Sequence, residues 1–472
     1  MANEYDVVVI GAGTGGYPAA IRAAQLGLRV AVVERQKTLG GTCLIWGCIP
    51  TKVLAEHAHA LKIVQAAKDW GLTVDGAAVR IDMAQVQARK DRIVTGLTKG
   101  IEFLFRKNKI DWIKGPGRLA GNGDVEVTGE QPQMLHASRE IIVATGSRAR
   151  SGPGVEIDRK RIITSDEAIG LKEVPKSMAI LGAGAIGVEF GSIFRLFGSE
   201  VTIIEILPRI VPLEDEAVSA ELQKALKKQG IRVHTGTKVT RVEASPASVT
   251  IEARLPDGST AELSAEFLLV ATGRGPVTDG LGAAEAGLQI ENGYLRVDAH
   301  FRTGVPGISA IGDVITLGGP AHPQLAHVST AEGIAVAERI AGLEARAVDY
   351  DRVPSCTYSD PEIGSVGLTE QEAKNRGYDV QVGSFPFMAL GRAKIAGETE
   401  GFVKIVAEKK YDEVLGVHII GPRATEIVAE ATVALGLECA VEDLVRTIHA
   451  HPTMAEAMGE AAHAVRGGAI HL

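Results

Sequence analysis

Two continuous apolar runs, each followed at once by a glycine-rich turn, dominate the hydrophobic pattern of this 472-residue chain. Tyr5–Ile10 (YDVVVI) leads into GAGTGG, and Ser177–Leu181 (SMAIL) leads into GAGAIG. Short apolar runs without polar alternation are typical of strands buried on both faces of a parallel sheet. The pattern therefore predicts two buried strands, each ending in a tight turn.

A helical pattern and a second strand follow each turn. Tyr17–Gly27 and Val188–Gly198 predict helices, whereas Leu28–Glu34 and Ser199–Glu205 predict strands that end in an acid. The spacing from first glycine to acid is 23 residues in both copies. Such a strand-turn-helix-strand unit can hold a pyrophosphate at the helix start and a ribose hydroxyl on the acid. Two dinucleotide sites are therefore predicted.

The glycines of both turns fall in the G-x-G-x-x-G pattern. They are Gly11, Gly13 and Gly16 in the first turn, and Gly182, Gly184 and Gly187 in the second. One such fingerprint is weak because ordinary tight turns also match it, but two in the same context are specific. Glu205 would repel the 2′-phosphate of NADP, so the second site is predicted to prefer NAD, with Arg209 as a nearby cation.

Further apolar runs predict the rest of the fold. Glu140–Ser147 (EIIVATGS) and Phe267–Arg274 (FLLVATGR) share the ending ATG, and each is interpreted as the return strand of one dinucleotide domain. Ile308–Asp313 predicts another strand, and 84–108 an amphipathic outer helix. From about Val348 the pattern changes to strands and then helices, which indicates an α+β domain with an antiparallel sheet.

Composition narrows the class of protein. Hydrophobic residues make up 45% and charged residues 23%, and 50 basic against 58 acidic residues give a net charge of -8. No long basic block is present, so nucleic acid is not an expected partner. No uncharged apolar run reaches the roughly 18 residues of a membrane span, and Met1–Asp6 lacks the features of a signal peptide. A cytoplasmic location is expected, where a disulfide is more often catalytic than structural.

Gly40–Lys52 (GGTCLIWGCIPTK) contains a candidate redox pair, Cys43 and Cys48. Pro50 suits the first position of a helix, and a helix start here would bring the thiols together and put Cys48 at the positive end of the helix dipole. The alternatives are that both are small buried hydrophobes or that they bind zinc. Zinc is disfavoured because its cysteines usually lie closer together and occur with a second pair, so no metal site is expected.

The other two cysteines, Cys356 and Cys439, are isolated and are assigned to packing. The cysteine segment follows Glu34 within ten residues. The dinucleotide of the first site should therefore carry a ring that exchanges electrons with thiols, and flavin has that property.

The stretch IHAHPTMAE near the end of the chain holds His449, His451 and Glu456. A histidine in such a place is most often a surface or core residue. However, Pro452 and Thr453 predict a helix start there, and Glu456 is close enough in sequence to orient the His451 ring. The pair is a candidate acid and base for a dithiol.

With these residues in place, the chain resembles the flavoprotein disulfide reductases over essentially its whole length. GGTCLIWGCIPTK resembles the redox segment of that family, and HAHPTMAE resembles the terminal motif of its lipoyl-oxidising branch. The resemblance implies that FAD and NAD are the cofactors and that protein-bound dihydrolipoyl groups are oxidised to the lipoyl disulfide. It also implies a homodimer whose partners are lipoyl domains of 2-oxo acid dehydrogenase complexes or of the glycine cleavage carrier protein.

The resemblance also implies roles for single residues. Cys43 would be the thiol that exchanges with substrate, Cys48 would lie against the flavin, and His451 held by Glu456 would accept protons for the disulfide of the other subunit. Lys52 would lie beside the reactive flavin nitrogen, paired with Glu189, although Glu189 could simply be an acid favoured at a helix N-terminus.

Asp313 would bind the ribityl chain, although it could instead cap the following segment. Ile45 and Trp46 replace the Asn-Val usual in the redox segment, and Val328 stands where a lysine is common.

The predicted FAD contacts come from both halves of the first domain. They are Gly11, Gly13, Thr14, Gly16, Glu34, Gly41, Thr42, Cys43, Lys52, Gly117, Thr145, Gly146, Ser147, Asp313, Leu325, Ala326 and His327. The predicted NAD contacts are Gly182, Gly184, Ala185, Ile186, Gly187, Glu189, Glu205, Val239 and Gly273.

The predicted fold class is α/β, with two Rossmann-like dinucleotide-binding domains and a C-terminal α+β dimerisation domain. The predicted domains are 1–147 for FAD, 148–273 for NAD, 274–346 returning to the FAD domain, and 347–472 for dimerisation.

Three other functions fit part of the pattern. A glutathione-type reductase is disfavoured by Glu205 and by HAHP, and a mercuric reductase by AVRGGAIHL, which has no cysteine. A flavin-binding scaffold with structural thiols is the alternative from a different class.

Overall fold

The computed structural model describes residues 3–74, 79–152, 154–319, 322–345 and 347–472. The chain forms two compact units. The first unit comprises Met1–Val53, Ala84–Arg150 and Gly273–Val348, and the second comprises Leu54–Met83, Ser151–Thr272 and Asp349–Leu472. The predicted division into domains stays a prediction, and its limits at Met1 and Arg346 lie outside the described residues.

The first unit is built on a sheet that contains five parallel strands, of which Val30–Glu34 and most of Asn3–Ile10 are buried. Across the sheet these strands are Asp111–Lys114, Val30–Glu34, Asn3–Ile10, Gln133–Val143 and Ile308–Ala310. Val7, Val8 and Val9 have no exposed surface, as expected for a strand covered on both faces. The predicted strand at Tyr5–Ile10 is confirmed.

Smaller elements complete the first unit. Its further strands are Gly117–Gly121, Asp124–Val127, Ser147–Ala149, Arg274–Pro276, Ile290–Glu291, Tyr294–Arg296 and Ile315–Thr316. Its helices are Gly16–Gln25, Gly41–Ile45, the start of Cys48–Gln65, nearly all of Met83–Lys107, and Ala326–Ile340. Gly333 permits close packing of Ala326–Ile340 on the first turn, because a Cβ there would lie 2.5 Å from the Gly15 oxygen.

The second unit contains a parallel sheet of five strands. In order they are Arg232–His234, Glu200–Ile204, Ser177–Leu181, Phe267–Val270 and Ile162–Ile163. An antiparallel sheet follows with strands Lys238–Ala244, Val249–Arg254 and Thr260–Ala265. The helices of this part are Ser165–Ala168, Ala185–Phe197 and Glu216–Lys228.

A second sheet of five strands, all antiparallel, lies in the C-terminal part of the second unit. Its strands in order are Ser355–Thr357, Glu362–Gly367, Val414–Gly421, Phe402–Glu408 and Val380–Pro386. The helices here are Glu370–Asn375, Gly391–Ala396, Ala424–Gly436, Val441–Arg446 and Glu456–Val465. The predicted fold class is confirmed. None of the helices in the described ranges combines the length and apolar content needed to cross a bilayer.

Two predicted helix starts are wrong. The helix after the cysteine pair begins at Cys48 and not at Pro50. The last helix begins at Glu456 and not at Pro452. The Thr453 N–H donates to the Glu456 carboxylate at 2.8 Å, and Thr453 Oγ1 donates to the Ala450 oxygen at 2.7 Å. These bonds hold the preceding residues in a turn, which the residue types alone did not distinguish from a first helical turn.

The two glycine turns have the same backbone geometry. Gly11 has φ +105° and Gly182 has φ +103°, in the region that side chains disfavour. A Cβ at Gly16 would lie 1.9 Å from the Gly11 oxygen, and one at Gly187 would lie 2.0 Å from the Gly182 oxygen. Each helix therefore starts in contact with its own turn, and only glycine permits that contact.

Replacing Gly16 with alanine should destabilise the first unit by at least about 2 kcal/mol, because the added methyl group must displace backbone. Gly100→Ala is the matched control. It lies on the exposed face of Met83–Lys107, and its Cβ would meet nothing within 4 Å. Urea unfolding should show a large loss of stability for Gly16→Ala and no loss for Gly100→Ala. Equal stability of Gly16→Ala and the native chain would contradict the prediction.

Candidate active site

The cysteine segment, Gly40–Lys52, lies directly on the first glycine turn. Gly40 has φ +116° and Gly41 has φ +59°, and a Cβ at Gly41 would lie 2.6 Å from the Gly13 Cα. The short helix Gly41–Ile45 carries Cys43, and Cys48 is the first residue of the helix Cys48–Gln65. The predicted curl of the chain between the two cysteines is therefore confirmed.

The Cys43 and Cys48 thiols are in hydrogen-bond contact. Cys43 is partly buried and Cys48 is exposed. The hydrogen bond with Cys48, followed by burial, raises the pKa of the Cys43 thiol well above its ordinary value, and Lys52 opposes this effect. A thiolate at Cys48 is favoured by the N-terminal end of its helix, so the pair can share one proton with the negative charge on Cys48.

Glu34 and Glu205 occupy equivalent places at the two turns. Glu34 accepts from the N–H of Ala12 and of Gln36, both at 2.8 Å. Glu205 accepts from the N–H of Ala183 at 2.6 Å and of Leu207 at 2.8 Å. Each carboxylate is buried, with 7% of the residue exposed. These bonds fix an acceptor beside each turn, where a ribose hydroxyl can donate to it.

The middle glycine of each turn faces open space. A Cβ at Gly13 would have only the Gly41 Cα within 4 Å, at 3.9 Å, and a Cβ at Gly184 would meet nothing within that distance. The turns also precede the N-termini of Gly16–Gln25 and Ala185–Phe197, whose N–H groups favour an anion. The residues present therefore fit a dinucleotide pyrophosphate at each turn.

A chain of hydrogen bonds leads to Asp313. Arg274 Nε donates to Ser147 Oγ at 2.7 Å, and Ser147 Oγ donates to Asp313 Oδ2 at 2.5 Å. Burial raises the pKa of Asp313, and the bond from Ser147 opposes the rise. Sequence analysis missed the role of Arg274, although it occupies the position in FLLVATGR that Ser147 occupies in EIIVATGS.

A buried pair that sequence analysis also missed supports the turn before Asp313. Glu332 accepts from the Gly312 N–H at 2.6 Å and shares a second bond of 2.6 Å with His322 Nε2. Glu332 has no exposed surface. The only sequence signal was a carboxylate among the small and apolar residues of the Ala326–Ile340 helix.

The other residues predicted to contact FAD also lie in the first unit. They are Thr14, Thr42, Gly117, Thr145, Gly146, Leu325, Ala326 and His327. The backbone oxygen of Thr14 accepts a hydrogen bond from Thr330 Oγ1 at 2.7 Å. Thr145 Oγ1 donates to the Val277 oxygen at 2.6 Å. Leu325 immediately precedes the helix that begins at Ala326. Their contacts with FAD stay a prediction.

The predicted NAD residues are divided between the units. Ala185 and Ile186 are the first residues of the helix Ala185–Phe197, and Val239 lies in the strand Lys238–Ala244. These three belong to the second unit, whereas Gly273 belongs to the first. Glu189 is buried and accepts from the Tyr358 N–H at 2.9 Å. Lys52 lies in the other unit, and its pairing with Glu189 stays a prediction.

Arg209 is the cation that the sequence analysis noted near Glu205, and it forms a hydrogen bond with the backbone. Its Nη2 donates to the Pro212 oxygen at 2.7 Å. It also lines a cavity of about 130 Å³ together with Glu214 and Lys404.

The predicted terminal pair is formed. His451 Nδ1 lies 2.8 Å from Glu456 Oε1, and 78% of the His451 side chain is exposed. Burial opposes ionisation of Glu456, but hydrogen bonds from His451 and the Thr453 N–H outweigh it and lower its pKa. The charged carboxylate holds the ring by Nδ1 and directs Nε2 outward, which suits a proton acceptor.

Comparison with known proteins agrees with this geometry. Residues 5–333 match the family described as pyridine nucleotide-disulphide oxidoreductase, and residues 353–462 match its dimerisation domain. The chain is 46% identical over 483 residues to dihydrolipoyl dehydrogenase of Bacillus subtilis (strain 168), with 100% of both chains covered. It is 47% identical over 474 residues to dihydrolipoyl dehydrogenase 3 of Pseudomonas putida, again with 100% of both covered.

A solved structure has the same fold. LpdA from Mycobacterium tuberculosis superposes with a TM-score of 0.88 at 25% identity, over 98% of this chain and 99% of that chain. The family match spans both compact units and includes both glycine turns and the cysteine segment. This chain therefore belongs to the pyridine nucleotide-disulphide oxidoreductase family.

Proposed function

We propose that this protein is a dihydrolipoyl dehydrogenase, which oxidises protein-bound dihydrolipoyl groups to the lipoyl disulfide and reduces NAD⁺. The observation that carries the proposal is the contact between the Cys43 and Cys48 thiols on top of the first glycine turn. Dihydrolipoyl dehydrogenases that align over the whole chain support the choice of substrate.

The first step is thiol–disulfide exchange. His451 Nε2 takes a proton from one substrate thiol, and the resulting thiolate attacks Cys43 Sγ of the Cys43–Cys48 disulfide. A bond between substrate sulfur and Cys43 forms, and the bond between Cys43 and Cys48 breaks. The second substrate thiol then displaces Cys43, which yields the lipoyl disulfide and leaves two electrons in the cysteine pair.

The helix Cys48–Gln65 explains why substrate attacks Cys43. The sulfur that leaves must carry the negative charge, and the better leaving thiolate is the one stabilised by its surroundings. Cys48 is the first residue of that helix, where the dipole favours an anion. Attack at Cys43 therefore expels the more stable thiolate.

The cofactors of the family are FAD and NAD. When bound, FAD would supply the acceptor for the electron pair of the Cys48 thiolate, and NAD⁺ would supply the final acceptor of a hydride. The first glycine turn, Glu34 and Asp313 would hold FAD. The second turn and Glu205 would hold NAD, and Glu205 disfavours a 2′-phosphate because like charges repel.

The working form is a homodimer, which the match of residues 353–462 to a dimerisation domain supports. We assign His451 to the disulfide of the second copy, because its side chain is largely exposed on the domain that would form the interface. The lipoyl substrate would come from the carrier domains of 2-oxo acid dehydrogenase complexes or of glycine cleavage. A cytoplasmic location suits a redox pair that must be reduced in each turnover.

Replacing Cys48 with serine should abolish NADH formation from dihydrolipoamide and NAD⁺, because no disulfide can form with Cys43. Flavin should stay bound, since the glycine turn and Glu34 are unchanged. Cys439→Ser is the matched control and should keep native turnover. The assay follows absorbance of NADH, and undiminished activity of Cys48→Ser would end the proposal.

Replacing His451 with glutamine should lower kcat by roughly 10² to 10⁴, the usual contribution of one general acid or base. The substitution keeps a polar side chain but removes the imidazole nitrogen that would accept the proton. His463→Gln, on the same terminal helix as Glu456, should retain native activity. Stopped-flow reduction by dihydrolipoamide measures the step directly, and native rates in His451→Gln would exclude this residue as the proton acceptor.

Replacing Glu205 with glutamine should raise the ratio of kcat/KM for NADP⁺ to that for NAD⁺ about fivefold or more, since one repulsive charge is worth on the order of 1 kcal/mol or more. The control is Glu200→Gln at the exposed start of the same strand. Steady-state kinetics with both nucleotides provide the ratio. An unchanged ratio would show that another group selects the nucleotide.

A further inference from the structure

A residue with a strained backbone lies next to the second glycine turn. Val211 has φ +36°, in the left-handed region that side chains branched at Cβ rarely adopt. Among the residues that the structure describes, it is the only β-branched residue with such a φ. It is also buried, with 4% of the residue exposed. A backbone of this kind persists only where neighbouring contacts hold it, and such residues cluster at functional sites.

Val211 is hydrogen-bonded to the turn itself. Its N–H donates to the backbone oxygen of Ala183 at 2.8 Å, and Ala183 is the second residue of the GAGAIG turn. The N–H of Ala183 donates to Glu205 Oε2 at 2.6 Å. The two ends of the segment 205–211 therefore hold Ala183 from both sides, one at its N–H and the other at its oxygen. A change of Val211 to negative φ would turn its N–H away and remove one of these two contacts.

The residues around Val211 are held in turn. Ser219 Oγ donates to the Ile210 oxygen at 2.7 Å, and the Glu214 N–H donates to the Val211 oxygen at 2.9 Å. Both atoms that Val211 contributes to backbone hydrogen bonds are thus occupied, its N–H by the turn and its oxygen by Glu214. The conformation of Val211 is therefore tied to the position of Glu214.

The antiparallel C-terminal sheet holds Glu214 and the residue after it. Ser365 Oγ donates to Glu214 Oε2 at 2.7 Å, and Lys404 Nζ lies 2.9 and 3.0 Å from the two carboxylate oxygens of Asp215. Ser365 and Lys404 lie on two strands of this sheet. The side chains of Lys404 and Asp215 are buried, with 9% and 2% exposed. Because a buried charge needs a partner, this ion pair fixes the start of the helix Glu216–Lys228.

The charges of this cluster agree with that role. Burial opposes ionisation of Asp215, but the bond from Lys404 outweighs it and lowers the pKa of that carboxyl group. Glu370 adds two contacts, since its Oε2 lies 2.7 Å from Lys404 Nζ and its N–H donates to Asp215 Oδ2 at 3.3 Å. Burial raises the pKa of Glu214, and the bond from Ser365 opposes the rise. A carboxyl group accepts a hydrogen bond in either form, so the contact with Ser365 does not depend on the protonation of Glu214.

We propose that Lys404 and Ser365 are positioning residues for NAD at the second turn. They hold the segment 211–215, which keeps Val211 in its strained conformation, and Val211 keeps Ala183 in place. The C-terminal sheet thus contributes to nucleotide affinity through the backbone of the turn. This inference rests on the part of the proposed function that assigns NAD to this turn.

The test is the affinity of the oxidised holoenzyme for NAD⁺, measured by isothermal titration calorimetry. Lys404→Met keeps a long side chain but leaves the buried carboxylate of Asp215 without its counter-ion. The start of the helix should shift toward water and Val211 should relax. The dissociation constant of NAD⁺ should rise roughly fivefold or more, the effect of losing one hydrogen bond. Reduction of the flavin by dihydrolipoamide without NAD⁺ should keep its native rate, because that step does not use the second turn.

The matched control is Ile405→Ala on the same strand. Successive side chains of a strand point to opposite faces, and the fully buried Ile405 belongs to the core of the C-terminal domain. Its loss should lower the unfolding temperature by an amount comparable with that in Lys404→Met. The NAD⁺ dissociation constant should stay native. An equal loss of NAD⁺ affinity in both variants would assign the effect to general loss of stability and overturn the inference.

Two further variants test the link itself. Ser365→Ala removes only the hydroxyl that binds Glu214, so it replaces Lys404→Met if that variant does not fold, and it should weaken NAD⁺ binding in the same direction. Glycine adopts positive φ without strain. Val211→Gly added to Ser365→Ala should therefore recover part of the lost affinity. Native affinity in Ser365→Ala, or no recovery in the double variant, would contradict the inference.

The inference and the proposed function can fail separately. A native holoenzyme that neither binds NAD⁺ nor is reduced by dihydrolipoamide would remove the proposed function, and the inference with it. A native holoenzyme that does both, with the same NAD⁺ affinity in Lys404→Met, would overturn only the inference.

Discussion

The chemistry of this protein depends on the close approach of two backbones at Gly13 and Gly41. The separation is too short for a side chain, because a Cβ on Gly41 would lie 2.6 Å from the Gly13 Cα. This contact brings the cysteine segment onto the first nucleotide turn. The reactive thiols and the dinucleotide site are therefore fixed by the same few residues, and neither can move without the other.

The same turn is used twice, with a different outcome each time. Both copies have the strained first glycine, the tight third glycine and the buried acid that accepts two backbone hydrogen bonds. The first copy packs against the cysteine segment, and the second belongs to a unit that also contains the antiparallel C-terminal sheet. The two turns therefore share one geometry and differ in the elements that surround them.

Three carboxylates of this chain depend on neighbouring hydrogen-bond donors. Asp313 is buried and receives a hydrogen bond relayed from Arg274 through Ser147. Glu456 is kept ionised by His451 and by a backbone N–H, and Glu332 is buried against His322. In each case a neighbouring donor compensates the cost of removing a carboxylate from water. The positions of these donors therefore determine where a carboxylate can be placed in this fold.

The sequence alone determined the features that are local in the chain. Apolar runs and glycine spacing predicted both turns, their acids, the duplicated ATG strands and the cysteine pair at a helix start, because strand, turn and helix propensities depend on nearby residues. It could not predict partners distant in sequence, such as Arg274 with Ser147, Glu332 with Gly312, or Lys404 with Asp215. The turn at 451–455 was mistaken for helix for a local reason, because Thr453 forms hydrogen bonds with Ala450 and Glu456 that the residue types do not reveal. Only the tertiary structure decided the distant partners, since burial and hydrogen bonding between separate segments depend on how the chain packs.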